Sequence, residues 1–153
     1  MRLAEFNIAG RGLPAGSARG VQGTIGLVKN GVVVRMGGGV LRDMTRESAR
    51  KFKGIIECED LRGAPLFGLW IGSRLTVDYL DFVEEPINQP QVRPHVPGSL
   101  HFLDAAGFEV PQAQGVQRRY QPRFELMITA EGWEMRHDPW AASVKWSFPW
   151  EEV

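Results

Sequence analysis

Two stretches near the C-terminus alternate apolar and polar residues with the period of a β-strand. Phe124, Leu126, Ile128 and Ala130 alternate with Arg123, Glu125, Met127 and Thr129. Val144, Trp146, Phe148 and Trp150 alternate with Lys145, Ser147, Pro149 and Glu151. A two-residue period puts each apolar set on one face. With Trp133–His137 between them and Asp138-Pro139 turning the chain, the pattern predicts an antiparallel ribbon with one buried face.

Earlier segments read the same way. Leu3, Phe6 and Ile8 suggest an opening strand, and residues 10–20 a flexible loop. Thr24–Lys29 and Val32–Met36 flank Asn30-Gly31, the residue pair that best accommodates a type I′ turn, so a hairpin is predicted there, ended by Gly37-Gly38-Gly39. Ile55–Asp60 reads as a strand. In Arg74–Val83 the inward set Leu75, Val77, Tyr79 would go on to bury Asp81, which calls for a bulge near Leu80 or a second buried face. Ser99–Phe102 and Phe108–Val110 predict a short hairpin across Asp104–Gly107.

Only residues 43–53 suggest a helix. Asp43 or Thr45 offers a cap, Glu47 sits in the first turn, and Arg50, Lys51 and Lys53 lie at the C-terminal end, before Gly54. That charge order suits the helix dipole. The fold class that follows is mainly β: an antiparallel β-sandwich or small barrel with one short α-helix over about 43–53. The length of 153 residues fits one domain, 1–153, with a Pro/Gln-rich loop excursion at about 86–119.

Composition narrows the function. No apolar run reaches the length of a membrane span, and Met1–Glu5 lacks the apolar core of a signal peptide, so a soluble, intracellularly made chain is expected. Cys58 is alone and forms no internal disulfide. Net charge is zero, but residues 1–53 carry +7 and residues 54–153 carry −7. If folding preserves that asymmetry, copies of the chain attract one another head to tail. Phe6 is the one aromatic before Phe52, so the basic third lacks the stacking platforms of single-strand binders, and no specific nucleic acid is expected.

No motif carries catalysis. Gly10-Arg11-Gly12-Leu13-Pro14-Ala15 matches a dinucleotide fingerprint in form, but Pro14, Gly16 and Gly20 forbid the helix whose amides would hold a pyrophosphate. His95, His101 and His137 share no ligand spacing, and His137 precedes a turn aspartate. Cys58 lies between Glu57 and Glu59, which raise a thiol's pKa. Glu84 and Glu85 are adjacent and point to opposite faces of a strand, unlike a glycosidase pair. No enzyme activity, cofactor or metal is expected. Four of the five tryptophans fall within 133–150, and exposed ones among them suit sugars or protein interfaces.

The C-terminal run Tyr120-Gln121-Pro122-Arg123-Phe124-Glu125-Leu126-Met127-Ile128-Thr129, then Asp138-Pro139-Trp140-Ala141-Ala142-Ser143-Val144-Lys145-Trp146-Ser147 and Glu151-Glu152-Val153, resembles a small virion protein of long-tailed bacteriophages. Thr45–Cys58 and Gly68–Gly72 with Leu75–Val77 fit the same type. The resemblance implies a mostly β tail or baseplate component in the virion. Such a component forms rings with its own copies and meets other tail proteins, with no cofactor. On this reading residues 10–20, including Arg11 and Arg19, and the excursion with Pro90 and Pro94 reach neighbouring subunits, and Trp133 and Trp140 anchor interfaces. The alternative is a non-catalytic carbohydrate-binding β-sandwich using Trp133, Trp140 and Tyr120.

Overall fold

A computed structural model describes residues 5–153. Leu3, placed in the opening strand by the alternation, lies outside the described residues. Among the described residues twelve strands follow in chain order: β1 (Asn7–Ile8), β2 (Gln22–Leu27), β3 (Val33–Arg35), β4 (Leu41–Asp43), β5 (Phe52–Asp60), β6 (Arg74–Asp78), β7 (Val83–Pro86), β8 (His101–Leu103), β9 (Gln117–Tyr120), β10 (Arg123–Ile128), β11 (Glu134–Asp138) and β12 (Ser143–Glu152). The protein is mainly β, and every strand pairing is antiparallel.

The main sheet runs β1-β6-β10-β12-β5-β2, with β11 also on β12. β12 is the hub. One edge pairs with β5 from Val144↔Asp60 to Glu151↔Lys53, and the other takes β11 and then β10. This is the ribbon that the alternation predicted. The even-numbered side chains of β10 and Trp146, Phe148 and Trp150 of β12 join Ile56, Leu75 and Val77 in one aromatic-rich core, where Phe124, Tyr79 and Trp150 pack ring against ring. Ile8, Leu66 and Leu69 cover that face from outside the central strands.

The sheet is curled. Four strand spacings separate β2 from β6, about 19 Å if flat. Yet a Cβ on Gly23 of β2 would meet Leu80 Cδ2 at 2.6 Å and Tyr79 Oη at 3.5 Å. Among the described residues no strand pairing joins β2 to β1, so there the curl stops short of a closed barrel.

Three expectations change. The helix over 43–53 is absent: Glu47–Ala49 is a single 3-10 turn without a side-chain cap. An isolated helix of this length needs an apolar face packed on something. Here Met44 stays exposed, and the sequence from Phe52 is claimed by strand pairing with both β2 and β12. Second, Asn30-Gly31 makes no hairpin between the runs that flank it. β2 pairs with β5, and the hairpin is β3–β4, turned by Gly37-Gly38-Gly39, where Gly39 has a φ of 83°. The six-residue register on central β5 outcompetes the local turn preference. Third, no bulge occurs near Leu80. β6 ends at Asp78, and β7 starts a second sheet, β7-β9-β8. That change of sheet leaves Asp81 exposed and Tyr79 buried.

The Pro-rich stretch 86–119 therefore carries strands. β7 pairs with β9, and β8 bridges to Glu109, giving the short hairpin across Asp104–Gly107. Glu85 holds Arg118 at 2.7 Å and accepts the Tyr120 hydroxyl.

Candidate functional site

An antiparallel sheet sorts its connections to two ends. Residues 28–51 leave at the end where β2 finishes and β5 starts. Loops 9–21, 61–73 and 139–142 lie at the opposite end. Each end exposes apolar side chains, of different kinds.

The first end carries an arm. β2 is exposed at all six positions, and β3 and β4 at every position. The hairpin has two faces. Register Val34↔Arg42 puts Val32, Val34, Met36, Val40 and Met44 on one face with Arg42. Those five apolar residues are all exposed, Val40 at 64%. Exposed apolar groups gathered in one patch mark interaction surfaces. Thr45 fixes the base: its Oγ1 accepts the Val32 amide at 2.8 Å, and its own amide donates to Asp43. Residues 28–51 contain six Lys/Arg and two Asp/Glu, so the arm is basic.

The opposite end is aromatic. Phe67 and Trp70 are exposed with Ile71, and Trp140 is 97% exposed at the tip of the β11–β12 turn. That turn is held by the Asp138 carboxylate, which accepts the Trp140 and Ala141 amides.

Between the ends runs an open seam. Gly23, Ile25 and Leu27 of β2 lie opposite Ile56, Gly54 and Phe52, so their side faces the core. Nevertheless Ile25 and Leu27 are exposed, Leu27 at 67%. A cleft of about 430 Å³ separates them from Val83, Val92 and Tyr120. Burial, then the nearby Glu85 carboxylate, pushes the Tyr120 hydroxyl up to about 12. It stays protonated and donates to Glu85.

The residues that sequence reasoning singled out are scattered. Arg11 and Arg19 bind their own chain. Arg11 donates to the Pro65 and Phe67 carbonyls, and Arg19 forms a forked pair with buried Asp60 at 2.8 Å. The Arg19 hydrogen bonds hold the Asp60 carboxyl well below the usual carboxylate range. Residues 10–20 thus cover the core, and Trp146 donates its ring N–H to the Ser17 carbonyl. Pro94 accepts the Arg123 amide at 2.9 Å, tying the Pro-rich segment to the main sheet. Pro90 is exposed beside the arm's base. Trp133 donates to the Leu69 carbonyl and packs edge-on against Phe67. Five residues of β11 separate it from Trp140, about 17 Å of strand. Tyr120 is buried elsewhere, so these three aromatics form no shared platform.

The remaining chemistry is dispersed. His101 pairs with Glu109, His95 contacts Gln91, and His137 lies exposed on β11. Burial, aided by Asp60 and Glu59, raises the Cys58 thiol. Among the described residues no group of three His, Cys, Asp or Glu side chains could hold a metal ion, and no helix is long and apolar enough to cross a membrane. Sequence reasoning missed the arm and the seam. The Val- and Met-rich run 32–44 signalled a hairpin, but nothing in it says that the hairpin stands uncovered. No protein-family model, curated protein or solved structure matches the chain.

Proposed function

We propose that the chain is a structural subunit of a bacteriophage tail or baseplate that joins copies of itself head to tail in a ring within the virion. The phage assignment rests on the resemblance of the C-terminal run. The assembly role rests on one observation: a basic arm whose apolar face, Val32, Val34, Met36, Val40 and Met44, is uncovered. Five such side chains in water are unfavourable, at roughly 25 cal/mol for each Å² that burial would remove.

An arm that docks on a different surface of the next copy makes a heterologous contact, which closes into rings when the rotation permits. The aliphatic, arginine-bearing arm is unlike the other exposed apolar surfaces, as head-to-tail joining requires. The experiment is light scattering on the purified chain at low and high salt, beside the variant Val34→Ser/Met36→Ser/Met44→Ser. The expected result is a closed oligomer, weakened by salt and reduced to monomer by the three substitutions. An oligomer indifferent to those substitutions sinks the arm's role, and a monomer at every concentration sinks the assembly reading.

A further inference from the structure

Resting on that reading, we infer that the arm of one copy inserts into the open seam of the next and completes its sheet. The seam lies between two edge strands. β2 ends the main sheet and β7 ends the second sheet, so among the described residues the outward main-chain groups of both lack a partner strand. Ile25, Leu27 and Phe52 line one wall, while Val83 and Val92 line the other. The seam is shut where Gly23 admits Leu80 and opens towards Leu27. In effect one layer of the curled sheet is missing there, and core-facing side chains are left wet.

The arm has what the seam lacks. A hairpin offers two free edges, one for β2 and one for β7. Residues 32–36 span about 17 Å, close to the roughly 20 Å of β2. The arm's apolar face matches the apolar walls, and Arg42 on that same face brings positive charge to a rim carrying Glu84. Glu84 has spare capacity, because its one ion-pair partner among the described residues, Arg119, stands 3.9 Å away. Main-chain pairing with side chains filling an apolar cleft is the physics of strand addition.

The occupant is a second copy rather than the chain's own arm. The connection 28–31 is tied to the body by the Val28 amide on the Lys51 carbonyl, and Thr45 clamps Val32. These bonds hold the hairpin's base beside Phe52 and Val92, while its apolar face stays exposed and is not seated in its own seam. Asn30-Gly31 is the turn that would let the arm fold back onto β2, and the arm is not folded back. The same pairing made between chains is a domain swap about that hinge.

The test mixes two variants of the full chain, each adding one exposed cysteine to the buried Cys58, Leu27→Cys in the seam and Val34→Cys on the arm, under mild oxidation. The expected product is a mixed disulfide dimer, absent when Val34→Cys is paired instead with Ala141→Cys at the far end. In parallel, Val83→Asp and the milder Glu84→Lys are compared with the triple arm variant by light scattering. Val83→Asp should weaken self-association about tenfold or more, since it buries a carboxylate in the joint. Glu84→Lys, on an exposed position that leaves folding intact, should weaken it less. Assembly that dissolves with the arm variant but survives both seam changes, with no mixed disulfide, overturns the seam and leaves the assembly reading standing. A Leu27→Cys/Val34→Cys double variant that closes within a monomer overturns it in favour of self-closure. A wild-type chain that stays monomeric to millimolar concentration overturns both.

Discussion

β12 and the β3–β4 hairpin are made of similar residues and meet opposite fates. Val144, Trp146, Phe148 and Trp150 are buried, while Val33, Val34 and Leu41 are exposed. Both segments are strands, and both pair with a neighbour. What differs is the layer above. The buried face of β12 is covered by Ile8 of the edge strand β1 and by Leu66 and Leu69, carried there by a loop, and the covering segments are anchored through Arg11, Arg19 and Trp146. No such roof reaches residues 32–44. Strand formation is thus a local and pairwise matter, whereas burial depends on a third element arriving. An uncovered apolar strand is a request for a partner.

The comparison can be broken hardest at Trp146. Its ring stacks with those of Phe6 and Phe148, and its N–H is satisfied by the Ser17 carbonyl. Trp146→Ala should lower unfolding free energy by about 3–5 kcal/mol, measured by denaturant titration. A loss under 1 kcal/mol would mean that the covering loop is not part of the core.

Gly54 tests the border between the two regions. A Cβ there would lie 1.8 Å from the Thr24 carbonyl oxygen and 3.1 Å from Trp150. Gly54→Ala should cost about 1–3 kcal/mol by overpacking. It should also speed amide exchange in β2 before β10, because β2 is the strand that can move away. Equal acceleration in both strands would show that the arm and core open as one unit.

Asp60 gives the pH dependence. Its carboxyl is depressed below the ordinary 3.8, mainly by the Arg19 hydrogen bonds. A depressed carboxylate adds stability that is present above its unfolded pKa and is lost as pH falls through the folded one. Stability should therefore drop as pH falls from about 5 towards 2, and Asp60→Asn should flatten that slope in acid melts. An unchanged slope would assign acid sensitivity to other carboxylates.

The smallest effect belongs to the arm. Val34→Ser in the monomer should change stability by less than about 0.5 kcal/mol, as surface positions do. A loss above 1 kcal/mol would show that the hairpin packs on its own body in solution.

Much of the core was legible because alternation with a period of two assigns both the element and the inward side chains. Leu75, Val77, Tyr79, Phe124, Leu126, Ile128, Trp146, Phe148 and Trp150 all follow from it. The helix over 43–53 was misread because cap residues and a favourable charge order state a preference worth tenths of a kcal/mol to about 1 kcal/mol. A nine-residue strand paired on both edges overrides that preference. Asn30-Gly31 misled for the same reason. The candidate surfaces were less legible still. Arg11 and Arg19 read as exposed loop cations, and only the fold brings Asp60 and the Pro65 carbonyl to them.

The chain's own pattern determined a mainly β, antiparallel protein, its ribbon of β10–β12, and which side of each central strand is apolar. Those properties depend on neighbours one or two residues apart, which sequence specifies directly. The tertiary structure alone decided that β2 pairs with β5, that the sheet curls without closing, and that the apolar residues of 32–44 stay uncovered. Those outcomes depend on which distant strands compete best for the same edge and on whether any segment is left to cover the last one.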